Sequence, residues 1–243
     1  MKLRTGTLVP GTETPICTGT THPPPVRAAI RVDGTVHAAI VKRLRHEVVL
    51  AECFCALLLR GWGLPTPEPI LVFEGGTLIF ASIDIGYPNL AQRLGFSSGM
   101  PFAEQQILQS AGAAIVCTWD DAPMATAIDE AIANADRNLG NLLWDGADHA
   151  YIDHERTLGL IAQKANLLAE LAKIAGKAEQ IERGAISSAL ALDGKLPSKI
   201  AALGDGDFAG FVDYVEKRLN GLPARILNRF PKPLDLLSGL DPN

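Results

Sequence analysis

The spacing of apolar positions changes along this chain. From residue 26 to residue 42 they favour strands: "VRAAIRV" and "TVHAAIVKRL" are two strand-like runs, and Asp33-Gly34 between them is a strong hairpin signal. The run "EVVLAECFCALLLRGWG" reads as a helix, closed by Gly61 or Gly63 ahead of Pro65. "PILVF" and "TLIFAS" flank Glu74-Gly75-Gly76 and predict a second hairpin. Residues 1 to 25, rich in Thr, Gly and Pro, read as loop with a short strand near Thr7 to Val9. After Ser82, "IDIGYPN" reads as a linker. Ile107, Leu108, Ala111, Ala114, Ile115 and Cys117 predict a long buried helix over 101 to 118, and a shorter one covers about 124 to 133. "LLW" and "AYID" around Asp145-Gly146 predict a small hairpin, and the remainder, about 160 to 232, reads as helical, broken near Gly194 and Gly204 to Gly206. The expected fold is α+β and bilobal: a sheet-rich lobe over 1–82, a connection at 83–90, and a larger helical lobe over 91–243. Clefts between lobes are favoured ligand sites.

Composition narrows the function classes. The chain has 243 residues, 47% hydrophobic and 20% charged, which is ordinary globular composition. A formal charge of -5 argues against a generally basic surface, so no direct nucleic-acid binding is expected. Lys2 and Arg4 are followed by Thr, Gly and Pro, unlike a signal peptide, and no stretch has the roughly 18 apolar residues of a membrane span. The expectation is a cytoplasmic protein. Cys53 and Cys55 sit in the apolar helical run with a spacing unlike that of zinc or redox sites, so they read as buried hydrophobes. Trp62 and Trp144 read as core anchors.

Charged residues that interrupt the apolar pattern carry the candidate chemistry. Val36, Ala38, Ile40 and Lys42 share one strand face. Either Lys42 leaves the strand end for solvent, or its ammonium enters a cleft and meets an anion. Glu52 has only apolar neighbours three and four positions away on its helix. It must reach solvent at the helix edge or find a cation elsewhere, and Lys42 is the nearest candidate in sequence. The stretch "NADRNLGNLLWDGADHAYIDHE" then sets Asp136 and Asn141 between a helix and a strand, and its hairpin can return Asp153 beside Asn141. One amide and one carboxylate so placed suit a hard cation such as Mg²⁺, while Asp136 could accept a proton or orient a nucleophile. Asp145 and Asp148 read as turn residues. Taken in order, Lys42, Glu52, Asp136, Asn141 and Asp153 supply the division of labour that phosphoryl transfer from ATP requires.

Three passages resemble the HipA-like branch of the protein-kinase-like fold, in a compact form: "ECFCALLLRGWGLPTPEPILV", "FASIDIGYPN" and "AIANADRNLGNLLWDGADHAYIDH". A tail with "FVDYVEKRLNGLPARI" also fits, and the similarity covers roughly residues 26 to 230. The resemblance implies an ATP- and Mg²⁺-dependent kinase acting on a Ser/Thr hydroxyl of a protein, or of the chain itself. In it Lys42 holds the α- and β-phosphates, Glu52 holds Lys42, Asp136 is the catalytic Asp, and Asn141 and Asp153 bind Mg²⁺. The backbone at Ala81, Ser82 and Ile83 meets the adenine edge, and Gly19 with neighbouring backbone NH groups covers the phosphates. The sequence departs from typical kinases at Asn138, where His is frequent, at "DHE" in place of "DFG", and in lacking a G-x-G-x-x-G loop. Those departures keep two alternatives in view: a pseudokinase that binds nucleotide or a partner, and AMP transfer on the same fold.

Overall fold

Strand-forming and helix-forming runs segregate along the chain. The computed structural model describes residues 3–16, 23–97, 99–160, 166–202 and 207–230. In it β1 (Arg4–Leu8), β2 (Thr14–Pro15), β3 (Val26–Val32) and β4 (Thr35–Lys42) precede α1 (His46–Gly61). Then β5 (Pro69–Glu74) and β6 (Thr77–Ile83) complete a six-stranded sheet. Both expected hairpins form, β3 with β4 and β5 with β6. The first strand starts earlier than the composition suggested, and its pairing is non-local. β1 runs parallel to β5 and antiparallel to β3, so the sheet curls round and closes through β1. Inside lie Ala28, Ile30, Val32, Ala39, Val41, Ile70, Val72, Ile79 and Ala81. Closure needs Gly6: a Cβ there would stand 3.1 Å from the Arg31 carbonyl oxygen and from methyls of Ile70 and Val32.

α1 is buried on every side from Val48 to Leu59, and Glu52 is the one charged residue in that span. One side packs on β5 and β6, and another meets the helical half, where Phe54 lies 5.3 Å from Phe208 and 5.7 Å from Phe211, ring centre to ring centre. Of the two expected stops the helix uses Gly63, whose φ of 96° favours glycine. There Leu64 N–H donates to Leu59 O and Gly63 N–H to Arg60 O, which satisfies the last carbonyls.

The second half contains α2 (Leu90–Arg93), α3 (Phe102–Val116), α4 (Ala122–Ala131) and a 3₁₀ turn at Leu139–Asn141. The hairpin of β7 (Leu142–Trp144) and β8 (His149–Tyr151) follows. After it come α5 (Leu168–Ile174), α6 (Ala178–Ala191), α7 (Leu196–Ala201), α8 (Ala209–Leu219) and α9 (Leu222–Leu227). The fold is thus α+β, sheet-rich first and helical second. Among the described residues no helix is long and apolar enough to cross a membrane.

Two expectations need correction. α3 forms, but it is not a buried helix: Phe102 is 73% and Ile107 66% exposed, and the buried positions are Gly112, Ala113 and Val116. The packed stripe is built from small residues, because the Leu139 and Leu94 side chains press against Gly112. A hydropathy pattern gives such residues little weight. Trp144 is only half-buried, whereas Trp62 is a core residue whose indole N–H donates to Asp193 O.

Candidate functional site

The end of β4 delivers Lys42 to the junction between the two halves. Ala39 and Val41 point into the sheet core, and the other face of β4 carries exposed Val36 and Ala38, half-buried Ile40 and then Lys42. The Lys42 ammonium lies 2.7 Å from Glu52 Oε1 on α1, 2.9 Å from Asp153 Oδ1 and 2.9 Å from Glu155 Oε1. Glu52 does not reach solvent at a helix edge: it is 1% exposed, and its second oxygen accepts the His154 backbone N–H at 2.9 Å. Burial alone would lower the Lys42 pKa. The carboxylates of Asp153, Glu52 and Glu155 outweigh it and hold the lysine well above its ordinary value. Burial likewise opposes ionisation of Glu52, but Lys42 and the His154 contacts prevail and keep its carboxyl below the usual range. Glu155 goes the other way. Burial, with repulsion from Asp153 and Glu52, pushes it up against the pull of Lys42.

Next to this cluster the segment from Asn134 to Asn141 is held by a buried polar hub. Arg137, 1% exposed, donates through Nε and Nη2 to both Asp129 oxygens at 2.9 Å. Its Nη1 donates to the carbonyls of Asn141 at 3.1 Å and Ile152 at 2.7 Å, tying the turn to the returning strand. Asp129 also accepts from the Asn134 and Asn166 amides, and Asn134 Oδ1 accepts the Asp136 N–H.

Asp136 and Asn141 are drawn together here: the Asn141 amide donates to Asp136 O at 2.6 Å. A carbonyl can only accept, so the amide nitrogen faces it and the amide oxygen faces away. The β7–β8 hairpin returns the chain, Ile152 N–H donates to Asn141 O, and Asp153 follows with a φ of 65°. The left-handed backbone at Asp153 turns the chain so that Asp153 and Glu155 both reach Lys42. Asp145 closes the hairpin by accepting the N–H groups of Ala147 and Asp148.

The oxygen donor set of Asn141 and Asp153 is chemically suited to Mg²⁺. Glu52, Asp153 and Glu155 also bring carboxylate oxygens within 4.8 Å of one another, but Lys42 contacts all three and serves as their counter-ion. Two other expectations fare differently. Ala81, Ser82 and Ile83 lie within β6, where Ala81 is buried in the sheet core. Ile83 N–H is already given to Glu68 O and Asp84 N–H to Ala38 O, so neither N–H is open to a ligand edge. Gly19 lies outside the described residues.

Sequence reasoning missed Asp129, Asn134, Asn166, Glu155 and Arg156. Asp129 was findable by the argument applied to Glu52, since it interrupts an apolar helix. Glu155 is the last residue of "DHE", and its sequence context carries no other signal. Arg156 Nε lies 3.2 Å from Asp136 Oδ2.

No protein-family model matches the chain, and no curated protein matches it in sequence. Solved structures match it in fold. The Helicobacter pylori proinflammatory kinase CtkA superposes with a TM-score of 0.54 at 11% identity, over 92% of this chain and 96% of that one. HipA of Shewanella oneidensis, solved with HipB and operator DNA, superposes with a TM-score of 0.56 at 14% identity, over 88% of this chain and 66% of that one.

Proposed function

We propose that this chain, whose fold is that of the HipA-like kinases, is an ATP- and Mg²⁺-dependent kinase that transfers the γ-phosphate to a Ser/Thr hydroxyl of a protein. One observation carries the reading. A buried Lys–Glu pair from the sheet-rich half meets Asp153, 111 residues later, from the helical half. Core packing alone has no use for an ammonium and three carboxylates there, because desolvating them costs more than an apolar replacement.

Roles follow from position. Lys42, kept oriented by Glu52, exchanges Asp153 and Glu155 for the α- and β-phosphates. Mg²⁺, held by Asn141 Oδ1 and the Asp153 carboxylate, supplies charge neutralisation for the phosphates. Asp136 orients the acceptor hydroxyl and takes its proton. The exposed apolar face of β4 at Val36 and Ala38 suits a purine ring, and the backbone beyond Asp84 suits its edge. Catalysis on this reading is orientation plus electrostatics.

The test is the intact mass of the protein after incubation with ATP and Mg²⁺, alone and with candidate protein acceptors, beside Asp136→Ala and Asp153→Ala. A phosphate-sized gain in the parent, lost in both variants, is expected. An AMP-sized gain would replace the reading with nucleotidyl transfer. Nucleotide binding without any gain on any acceptor would leave a binding module.

A further inference from the structure

Before Mg²⁺ is bound, a γ-phosphate arriving here meets more negative than positive charge. Among the described residues the linked charged groups are Lys42 and Arg156 against Glu52, Asp136, Asp153 and Glu155, a net of -2 that one Mg²⁺ would only cancel. Lys42 is committed to the α- and β-phosphates by the kinase reading, on which the present inference rests. A phosphoryl group in transit spreads charge over three oxygens and needs a cation of its own.

The turn from Asp136 to Asn141 does not supply it. Its only basic residue is Arg137, which is buried and directs its donors to Asp129 and to the carbonyls of Asn141 and Ile152. Among the described residues Arg156 is the cation against Asp136. Its Nε lies 3.2 Å from Asp136 Oδ2, and its side chain is 32% exposed. Its carbonyl accepts the Ala135 N–H at 3.1 Å, so its backbone is anchored to the residue just before Asp136. The guanidinium therefore sits against Asp136, to which the kinase reading brings the acceptor hydroxyl and the γ-phosphate.

We propose that Arg156 holds the γ-phosphoryl group during transfer, a catalytic cation contributed by the segment after Asp153. In the step, the bond from phosphorus to the β–γ bridging oxygen breaks and the bond to the acceptor oxygen forms. The hydroxyl proton passes to Asp136, and Arg156 stays protonated throughout. Its planar fork can grip two phosphoryl oxygens at once.

The test compares two probes by titration calorimetry in Mg²⁺: the β,γ-imido analogue of ATP, and ADP. In Arg156→Gln the dissociation constant for the analogue should rise about tenfold or more, the scale of one charge-assisted contact, while that for ADP stays within about twofold. Arg156→Lys keeps the charge and loses the fork, so it should weaken the analogue less and again spare ADP. It also carries the test if the Gln variant does not melt as cooperatively as the parent. Equal weakening of both probes, or of neither, in a folded variant would overturn the proposal and leave the kinase reading standing. A parent that binds neither probe would overturn both.

Discussion

Replacing Lys42 by Met removes the cation that three carboxylates share. At an effective dielectric constant near 20, an ion pair at 2.7–2.9 Å is worth about 6 kcal/mol of attraction. Each pair of carboxylates at the 4.8 Å limit repels by about 3.5 kcal/mol. Attraction exceeds repulsion with Lys42 present, desolvation takes most of the difference, and repulsion stands alone without it. Truncating one side of a buried pair typically costs about 3–5 kcal/mol, and the lower end applies here because Asp153 is about one-third exposed. For a chain of this length 3 kcal/mol corresponds to roughly 6–12 °C in melting temperature. The pH dependence fixes the cause. The folded-state pKa of Lys42 is raised, so its contribution is present below the unfolded lysine value and lost as pH rises through the folded one. That of Glu52 is lowered, so its contribution is present above the unfolded carboxylate value and lost as pH falls through the folded one. The full gap between parent and Lys42→Met should therefore appear near pH 7–8 and narrow toward pH 5, where the uncompensated carboxylates of the variant take up protons. Calorimetric melting in EDTA at both pH values measures it. A gap under about 2 °C at pH 7.5, or an equal gap at pH 5, would refute the electrostatic account.

Asp129→Asn should destabilise the protein by about 3–5 kcal/mol and abolish transfer, because it strips the counter-charge from a 1% exposed guanidinium; chemical denaturation and the mass assay read the two effects. Gly6→Ala should cost about 1–3 kcal/mol by overpacking the strand that closes the sheet, seen as a lower urea midpoint with an unchanged slope. Burial pushes the Cys55 thiol up to about 12 and Cys53 higher still, so neither should be alkylated at pH 8 until the chain is unfolded; peptide mapping after iodoacetamide treatment would find a modified native Cys53 or Cys55 if the packing of α1 were wrong.

What could be read from sequence, and what could not, divides by the range of the interaction. The hairpins at Asp33-Gly34, Glu74-Gly75-Gly76 and Asp145-Gly146 are local, and turn chemistry was enough to find them. The Lys42–Glu52 pair spans ten positions and was legible because a carboxylate in an apolar helix must be matched by something. The parallel partnership of β1 with β5 links residues more than sixty positions apart, and no local signal encodes it. The packed face of α3 was misread because Gly112 and Ala113 pack by being small. Glu155 and Arg156 were missed because charged residues after a strand look like surface. Only the left-handed turn at Asp153 and the return of the hairpin aim them at Lys42 and Asp136.

Glu155 shows how that geometry bears on control. α1 is packed on both sides, so Glu52 cannot swing away from Lys42 without exposing two apolar surfaces, and the pair is set before any ligand arrives. What can exchange is the Glu155 side chain, which occupies the ammonium that phosphates would need. Its charge is poorly supported: burial, Asp153 and Glu52 together outweigh Lys42 and push its carboxyl up. Replacing it by Gln should therefore leave the melting temperature unchanged or slightly higher. The same change should tighten nucleotide binding, by about tenfold if the full charge-assisted contact has been competing. The two readouts are independent. A lower melting temperature would refute the view that the charge at Glu155 is disfavoured, and weaker nucleotide binding in a stable variant would move Glu155 from competitor to ligand of the cation that accompanies the phosphates.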